Sequence, residues 1–421
     1  MPDTKDKLKE LLARHDLMTG AEWGRKRAEL EERRVRGDFE IDRIVPGEVV
    51  GDGEDRFYRV VTEFPPETQQ GGLALGDVLE AIPEHVALCA CDPDLDDFDP
   101  ATALFLDVET TGLAGGTGTV PFLVGAGFFD NGVFRLEQTF MRDFDEEEPM
   151  LRYLGALFAR GTSIVTFNGK SFDVPLLRTR FIAHRLPFRL DGIPHFDLLH
   201  AVRRIWKLRV KDCSLGNIER AVLGLERRGD VPGADIPLIW FDYLRTRDAR
   251  ELKRVFYHHR MDILSLAALT ARLSRGLAAP GREGFDHDED RLSVVRLHFR
   301  QRRYDDVISR AEQLLCGEPD PVLRRECLAM LAFACKRRQD WEGMESAWDR
   351  MAREFPFDPL PRLELAKHYE HRARNLPEAR RVCEEAIALL GADEDDPATH
   401  AIRQRLERIR RKLAKGGEFD L

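Results

Sequence analysis

The chain has 421 residues and a formal net charge of −10 at pH 7, so it exceeds one ordinary domain and lacks the basic character of a general nucleic-acid-binding protein. No apolar run approaches the roughly 20 residues of a membrane helix, and the charged start of the chain lacks the apolar core of a signal peptide. Its seven cysteines form no CxxC pair and no zinc-ligand spacing, which indicates free thiols in a reducing compartment. We therefore expect two or three domains, a cytoplasmic location and no membrane anchor.

The first 98 residues combine one charged helix with a group of strands. Residues 4–37 carry leucines among Lys, Arg and Glu, which predicts a charged helix. Residues 38–63 alternate apolar and polar side chains like strands, and Gly47, Gly51 and Gly53 indicate turns between them. The acidic, proline-containing segment 91–100 is typical of a linker, and no function follows from residues 1–98.

Residues 99–275 alternate between strand and helix patterns. An apolar strand at 103–108 precedes a hairpin over 122–141, in which Asp130, Asn131 and Gly132 form a strong turn signal. Another strand is expected at 163–167, and helices are expected over 147–160, 173–185, 198–208, 214–223 and 248–274. This order predicts an α/β domain with a mixed sheet flanked by helices.

Residues 285–392 are helical and repetitive. Three helix pairs, over 292–315, 326–355 and 360–390, align on Tyr304, Trp341 and Leu376, close to the roughly 34-residue period of tetratricopeptide (TPR) repeats. An ordinary helical bundle remains the alternative, because the match to the repeat consensus is weak. The repeats predict a concave surface for a protein partner, and residues 393–421 predict a basic helical tail.

Acidic side chains in three separated segments form the most informative pattern. Asp107 and Glu109 lie two residues apart on the strand at 103–108, so their side chains share one face. Asp173 follows the strand at 163–167, and Asp262 lies in the last helix of the α/β region, one turn after His258. Each has an ordinary interpretation alone: a strand end, a helix N-cap or a surface charge. Together they predict a site for hard cations such as Mg²⁺ or Mn²⁺, which prefer carboxylate ligands.

The ordered set of motifs resembles a known family. The strings FLDVETTGL, GTGTVPFLVG, FNGKSFDVPLL, HFDLLH, RRGDVPGADIP and HHRMDILSL fit the pattern of the YprB-type ribonuclease-H-like domain of the DEDD exonuclease superfamily. The resemblance covers residues 102–274, about two-fifths of the chain, and some members also carry C-terminal helical repeats. It implies a ribonuclease-H-like fold and a metal-dependent 3′–5′ exonuclease that acts on single-stranded DNA or RNA from a 3′ end.

The resemblance also implies a role for each carboxylate in a two-ion mechanism. Asp107 would bridge two Mg²⁺ or Mn²⁺ ions, and Glu109 and Asp262 would complete the shell of the first ion. Asp173 would hold the second ion, directly or through water. Asp197, in HFDLLH, is a fifth acidic candidate, expected to orient a ligand or to cap the next helix.

The general base departs from the wider pattern of the superfamily. DEDD enzymes place a Tyr four residues, or a His five residues, before the last Asp, whereas Tyr257 lies five and His258 four residues before Asp262. We expect His258 to be the base because neutral imidazole accepts a proton near pH 7, with Tyr257 and His259 as alternatives. The expected substrate contacts are Thr110, Thr111, Leu113, Asn168 and Lys170.

Nucleic acid is the expected partner despite the negative net charge. The basic segment 178–211, in which Phe181, Phe188 and Trp206 are interleaved, is either a strand-binding path or a pair of amphipathic helices with buried aromatic side chains. Two other functions stay open, namely a structure-specific endonuclease on the same fold and a catalytically degenerate nucleic-acid-binding adaptor with working repeats. Cleavage of a circular strand would distinguish the endonuclease, and metal binding would argue against the adaptor.

Overall fold

The computed structural model describes residues 20–112, 118–279, 284–390 and 397–416. These residues form two compact units. The first unit draws on the segments Met1–Glu80, Phe98–Leu198 and Glu219–Ala271, and the second draws on Ala81–Asp97, Leu199–Ile218 and Arg272–Leu421. Both units are thus assembled from segments that are separated in the sequence.

A mixed sheet organises the first unit. The described strands are β1 Glu48–Asp52, β2 Asp55–Phe64, β3 Gln69–Gln70, β4 Leu73–Ala74, β5 Ala103–Thr110, β6 Pro121–Asp130, β7 Val133–Phe140, β8 Ser163–Thr166 and β9 His195–Asp197. Seven of them form one sheet in the order β1-β2-β7-β6-β5-β8-β9, and β3 pairs with β4. Neighbours from β1 to β5 pair antiparallel, whereas β8 is parallel to β5 and β9 is parallel to β8. The predicted mixed sheet is confirmed.

Two parts of this sheet compare directly with the sequence analysis. Asn131 and Gly132 adopt left-handed φ values of 51° and 82° between β6 and β7, which suits the tight hairpin that the sequence predicts. The region before residue 99 contributes two strands to the main sheet, which the sequence did not predict. Strand β2 pairs with β7 from Tyr58 opposite Phe140 to Phe64 opposite Phe134, so β1 and β2 extend the same sheet.

The described helices follow the α/β order of the sequence in the first unit and continue as a helical array in the second. They are α1 Gly20–Val35, α2 Ile41–Ile44, α3 Pro83–Ala90, α4 Glu147–Phe158, α5 Asp173–Ala183, α6 Leu198–Trp206, α7 Leu215–Ile218, α8 Ile236–Thr246, α9 Leu252–Ala278, α10 Asp288–Arg300, α11 Tyr304–Cys316, α12 Pro321–Arg338, α13 Trp341–Glu354, α14 Pro359–His371, α15 Leu376–Leu390 and α16 Pro397–Gly416.

Helix α8 was not assigned from the sequence, and it anchors the aromatic core of the first unit. Trp240 is fully buried and stacks on Phe122 of β6, with ring centroids 4.9 Å apart and an interplanar angle of 9°. Its indole Nε1 donates a hydrogen bond to the Met141 carbonyl at 3.0 Å, so the buried polar atom is satisfied. This packing fixes the chain between the RRGDVPGADIP string and helix α9.

The second unit contains the predicted helix pairs. Tyr304, Trp341 and Leu376, on which the repeats were aligned, are the first residues of α11, α13 and α15. The core residues Ala311 and Ala347 lie buried on α11 and α13. The helical region is therefore present where it was predicted, and its identity as TPR repeats stays a prediction. No helix of the described ranges is long and apolar enough to cross a membrane.

Two glycines in β6 allow helix α9 to lie directly on the sheet. A Cβ atom added to Gly125 would lie 2.3 Å from Ile263 Cδ1 and 2.5 Å from His259 Cε1. A Cβ atom added to Gly127 would lie 2.5 Å from Phe134 Cζ and 2.8 Å from Ile263 Cγ2. Since Gly125 pairs with Asp107 on β5, this close approach brings α9 over the acidic part of the central strand.

We expect Gly125→Val to destabilise the first unit, because its branched side chain cannot fit between β6 and α9. Overpacking of this kind costs about 1–3 kcal/mol, and the fully buried neighbours make the upper end the expectation. The measurement is the free energy of unfolding in urea. Gly216→Ala is the matched control, because nothing lies within 4 Å of a Cβ atom added there. Equal stability of Gly125→Val and the parent would contradict the close packing of α9 on β6.

Candidate metal centre

Strand β5 presents the first two acidic side chains. It lies between β6 and β8 in the sheet, and buried Val108 and Thr110 alternate with partly exposed Asp107 and Glu109. The side chains of Asp107 and Glu109 are 18% and 15% exposed. The alternation along β5 therefore places both carboxylates on one face, as the sequence predicted.

Two further carboxylates come from helices. Asp173 is the first residue of α5, which follows β8, and its side chain is buried. Asp262 is buried on α9, the helix that crosses over β6. Ligand atoms of Glu109, His258 and Asp262 all lie within 4.8 Å of one another, which is close enough for one metal ion. Acidic side chains of β5 and α9 therefore meet, and the charges of Asp107 and Asp262 also act on Asp173, so three separated segments contribute to one cluster.

Burial raises the pKa of every carboxylate in this cluster. For Asp107 the pKa rises from 3.8 to about 6, mainly because the group is removed from water. Burial also raises the pKa of Glu109, and the charges of Asp107, Asp262 and Asp173 raise it further. The pKa of Asp173 and that of Asp262 rise through burial and through the charge of Asp107. Buried oxygen ligands that repel one another are the donor set that divalent cations stabilise, so these residues fit a metal site.

His258 is held at the edge of the cluster by Asp230. The His258 Nδ1 atom lies 2.9 Å from Asp230 Oδ1, and a hydrogen bond to a carboxylate requires Nδ1 to be the donor. In the neutral ring Nε2 then carries the lone pair. Nε2 lies 3.3 Å from Asp262 Oδ2 and 3.9 Å from Glu109 Oε1, so it faces the carboxylates. The Asp230–His258 pair has the form in which a carboxylate orients a histidine ligand or base.

Arg227 supplies a cation inside the cluster. Its Nε donates to Glu219 Oε2 at 2.7 Å, and its Nη2 donates to Glu219 Oε1 at 2.5 Å and to Asp262 Oδ1. Glu219 is 1% exposed and also accepts a hydrogen bond from Ser265 Oγ. Arg227 Nη1 lies 3.3 Å from Asp230 Oδ2, so one guanidinium group joins the carboxylates of Glu219, Asp230 and Asp262. Without it, two buried acids would lack a charged partner.

Both ring nitrogens of His259 make hydrogen bonds within the first unit. It is fully buried, and its Nε2 lies 3.0 Å from the carbonyl oxygen of Asp107, to which it donates. Its Nδ1 lies 3.0 Å from the Gln138 amide nitrogen, which donates to it. Burial lowers the pKa of His259 to about 4, so this ring is neutral near pH 7. These bonds fix β5 against α9 and use both ring nitrogens. His259 Nε2 also lies 3.7 Å from Asp107 Oδ2, but both of its nitrogens already have partners, whereas His258 Nε2 faces Glu109 and Asp262.

The expected substrate contacts lie on two short segments of the first unit. Thr110 is buried and its Oγ1 donates to the Gly112 carbonyl at 2.8 Å, while Thr111 Oγ1 accepts from the Val120 amide at 3.0 Å. These bonds shape the turn after β5. Leu113 lies outside the described residues.

The second expected segment precedes Asp173. The side chains of Asn168 and Lys170 are exposed, and their backbone amides donate to Asp197 Oδ1 at 2.8 Å and Oδ2 at 3.1 Å. Asp197 therefore stabilises this loop, and its role in orienting a ligand stays a prediction. Asn168 also has a left-handed φ of 70°, which marks a tight bend before Asp173.

Glu219, Arg227 and Asp230 were not predicted from the sequence as parts of the site. The RRGDVPGADIP string was recognised, but its partners lie up to 35 residues away. A weak signal was available, since Glu219 follows Ile218 and lies close to the apolar run 221–225 that precedes the pair Arg227 and Arg228. That signal could not identify the residues that contact Glu219, because local periodicity carries no information on contacts between distant segments.

Residues 104–274, which carry the central strands and the acidic cluster, match the family model of the RNase_H superfamily. The chain is also similar in sequence to the uncharacterized protein YprB of Bacillus subtilis (strain 168). The two are 30% identical over 319 residues, which cover 74% of this chain and 75% of YprB. The chain therefore belongs to the YprB family, and the predicted ribonuclease-H-like fold is confirmed.

The chain also aligns with a solved structure. The family B DNA polymerase from the hyperthermophilic archaeon Pyrobaculum calidifontis aligns with 74% of this chain at 14% identity and a TM-score of 0.36. The alignment covers 46% of the polymerase chain, so this chain spans less than half the length of that protein.

We expect Asp107→Asn to stabilise the metal-free protein at pH 8. The pKa of Asp107 is higher in the folded chain than in the unfolded chain, so the folded chain binds the proton more tightly. The free energy of unfolding therefore falls as pH rises from about 4 to about 6 and stays low above that range. Removing this charge should recover about 1–3 kcal/mol at pH 8 in EDTA, measured by urea unfolding.

The same comparison at pH 4 and with added Mg²⁺ tests the cause. At pH 4 the parent carboxyl is largely protonated in the folded chain, so the difference between parent and Asp107→Asn should nearly vanish. Mg²⁺ should stabilise the parent more than the variant, because only the parent has the complete ligand set. A variant less stable than the parent at pH 8 in EDTA would show that the buried charge of Asp107 is not a source of instability.

Proposed function

We propose that this protein is a metal-dependent nuclease that hydrolyses phosphodiester bonds, with 3′–5′ exonuclease activity on single-stranded DNA or RNA. One observation carries the proposal: Asp107, Glu109, Asp173 and Asp262 come from three separated segments of a ribonuclease-H-like fold and meet in one buried cluster. Burying several acids near one another is costly, because each is desolvated beside like charges. Bound cations would offset this cost, so the cluster supports a metal site.

The four carboxylates would hold two Mg²⁺ or Mn²⁺ ions. By the roles that the family resemblance implies, Asp107 would serve both ions, Glu109 and Asp262 one ion, and Asp173 the other. The ions would lower the pKa of bound water and neutralise charge on the reacting phosphate. The chain itself keeps the ligands in place through the pairing of β5 with β6 and β8, and through the packing of α9 against β6.

His258 would take a proton from the attacking water at Nε2. Asp230 supports this role because it fixes the ring through Nδ1 and stabilises the positive charge that the ring acquires. His258 Nε2 also lies 3.9 Å from Glu109 Oε1 and 3.3 Å from Asp262 Oδ2, close enough for the three residues to share one ion. The base and ligand roles for His258 therefore require an experiment that separates proton transfer from ion binding.

The turn after β5 and the loop before Asp173 would contact the terminal nucleotide. Thr110, Thr111 and Leu113 belong to the turn, whereas Asn168 and Lys170 belong to the loop. Lys170 is exposed at the start of the segment that delivers Asp173, which suits contact with a substrate phosphate. In the second unit, the TPR-like helices α10–α15 would bind a protein partner. A reducing cytoplasm would suit the free cysteines.

We expect purified full-length protein to shorten 5′-labelled single-stranded DNA or RNA from its 3′ end in Mg²⁺ or Mn²⁺, and to lose this activity in EDTA. Asp107→Ala should reduce cleavage below detection, because it removes the shared ligand of both ions. Gel electrophoresis of the products measures the activity and its polarity. Glu67→Ala is the matched control, since Glu67 is an exposed carboxylate outside the cluster.

Substrates without a free end separate exonuclease from endonuclease activity. Cleavage of a circular single strand, lost in Asp107→Ala, would replace the exonuclease proposal with an endonuclease that uses the same carboxylates. Equal cleavage by the parent and by Asp107→Ala would contradict the site itself. Failure to cleave linear, circular or branched substrates with either metal ion would favour the adaptor.

We expect His258→Ala to lower kcat by roughly 10²–10⁴-fold, because it removes the proton acceptor. Asp230→Asn should lower kcat by roughly 10–100-fold, because His258 remains but loses its orienting carboxylate. Isothermal titration with Mn²⁺ provides the second measurement, and both variants should bind the ion with the parent's affinity. His400→Ala, an exposed histidine on α16, is the control. Loss of Mn²⁺ affinity in His258→Ala would instead make His258 a ligand.

A further inference from the structure

A cleft in the second unit is lined by basic side chains from two elements. It has a volume of about 450 Å³, within the range of roughly 300–1,000 Å³ typical of ligand pockets. One side is formed by α6 and the turn after it, and the other by α10. The basic residues of this cleft, called here the basic cleft, are Arg203, Arg204, Lys207, Lys211, Arg296 and Arg300.

Most of this positive charge has no acidic partner. Arg296 pairs with Glu326, with Nη2 and Oε2 2.5 Å apart. Arg203, Lys207 and Arg300 are exposed, and none makes an ion pair with any residue that the structure describes. The described residues that line the cleft include no carboxylate.

Two of the other basic side chains are held by neutral groups. Arg204 Nη1 donates to the Cys89 carbonyl at 2.8 Å, and Lys211 Nζ donates to the Leu208 carbonyl at 3.0 Å. These bonds direct the side chains without neutralising them. The cleft therefore keeps an excess of about five positive charges in a chain whose net charge is −10.

Several other arginines of the same unit are neutralised, whereas Arg337 and Arg353, at separate exposed positions, make no ion pair with a described residue. Arg303 pairs with Glu84 at 2.5 Å, and Arg338 pairs with Asp305 at 2.7 Å. Clustered cations repel one another, so an unneutralised group of them costs stability unless it meets an anion. What distinguishes the basic cleft is that its unneutralised cations lie together, which indicates that their charge is directed at an anion from outside the chain.

The arrangement of the cations suits an extended polyanion. Arg203 and Lys207 lie four residues apart on one side, and Arg296 and Arg300 lie four residues apart on the other, so each side offers cations about one helical turn apart. Trp206 is fully buried, so this expected aromatic residue offers no stacking surface for a base. Contacts through charge without stacking recognise phosphates rather than bases.

We propose that the basic cleft binds the phosphodiester backbone of single-stranded nucleic acid without sequence preference. The proposal rests on the proposed nuclease function for the choice of nucleic acid as the polyanion. The cleft would be a second substrate-binding site, built wholly from residues of the second unit, and it would add affinity without contributing to the chemical step.

The test compares two charge-reversal variants in the full chain. Lys207→Glu/Arg300→Glu changes the basic cleft, whereas Arg337→Glu/Arg353→Glu makes the same change in net charge at exposed positions elsewhere in the second unit. Fluorescence anisotropy measures Kd for labelled single-stranded DNA and RNA in EDTA at several salt concentrations. Thermal unfolding of each variant shows whether it is folded. Lys207→Gln/Arg300→Gln provides a milder second variant.

We expect the cleft variant to raise Kd by at least about tenfold, and to reduce the slope of log Kd against log salt by about 1.4, or about 0.7 for each phosphate that the protein no longer neutralises. The control variant should keep the parent's slope. Equal weakening in both variants, or unchanged binding in the cleft variant, would overturn the proposal. So would absence of nucleic-acid binding by the parent.

Binding and cleavage separate this proposal from the proposed function. Binding is measured in EDTA, where the proposed chemistry cannot occur, so Kd reports on the basic cleft independently of cleavage. Salt-sensitive binding through the cleft without cleavage by the parent would support the cleft and contradict the nuclease. Cleavage with unchanged binding in Lys207→Glu/Arg300→Glu would support the nuclease and contradict the cleft.

Discussion

The burial of four carboxylates at one point is the constraint on which the rest of the first unit depends. Removal from water and mutual repulsion both oppose the ionised forms, as the raised pKa values of Asp107, Glu109, Asp173 and Asp262 indicate. The fold supplies compensation from several directions. Arg227 contributes a positive charge, and the donor set itself suits divalent ions.

Close packing gives this cluster its geometry. Gly125 lies beside Asp107 in the sheet, and the absence of a side chain there lets His259 and Ile263 approach the strand. His259 then donates a hydrogen bond from α9 to the carbonyl of Asp107. Asp262, which supplies the fourth carboxylate, lies about one turn further along the same helix. The distance between the acids of β5 and α9 is thus set by three features: the pairing of β5 with β6, the small size of Gly125 and the hydrogen bonds of buried His259.

The sequence could predict features that depend on local spacing, but not those that depend on distant contacts. Alternation along one strand placed Asp107 and Glu109 on a shared face, and helical spacing placed His258 beside Asp262. The salt bridge from Arg227 to Asp262 spans 35 residues, and the bond from His258 to Asp230 spans 28. Such pairs leave no periodic trace. The extension of the sheet by β1 and β2 was missed for the same reason, since pairing partners are set by the tertiary fold.

Arg227 also affects how far folding of the first unit would depend on bound metal ions. A small zinc domain has no stable fold until its ion arrives, because nothing else offsets the charges of its ligands. Here a guanidinium group, encoded in the chain, already neutralises part of the acidic cluster by bonding to Glu219 and Asp262. Part of the charge of the cluster is therefore offset by the chain itself, so folding would depend less on the proposed ions than it does in such a zinc domain. Because Arg227 already bonds to Asp262 Oδ1, an ion at the proposed site would compete with the guanidinium group for that oxygen.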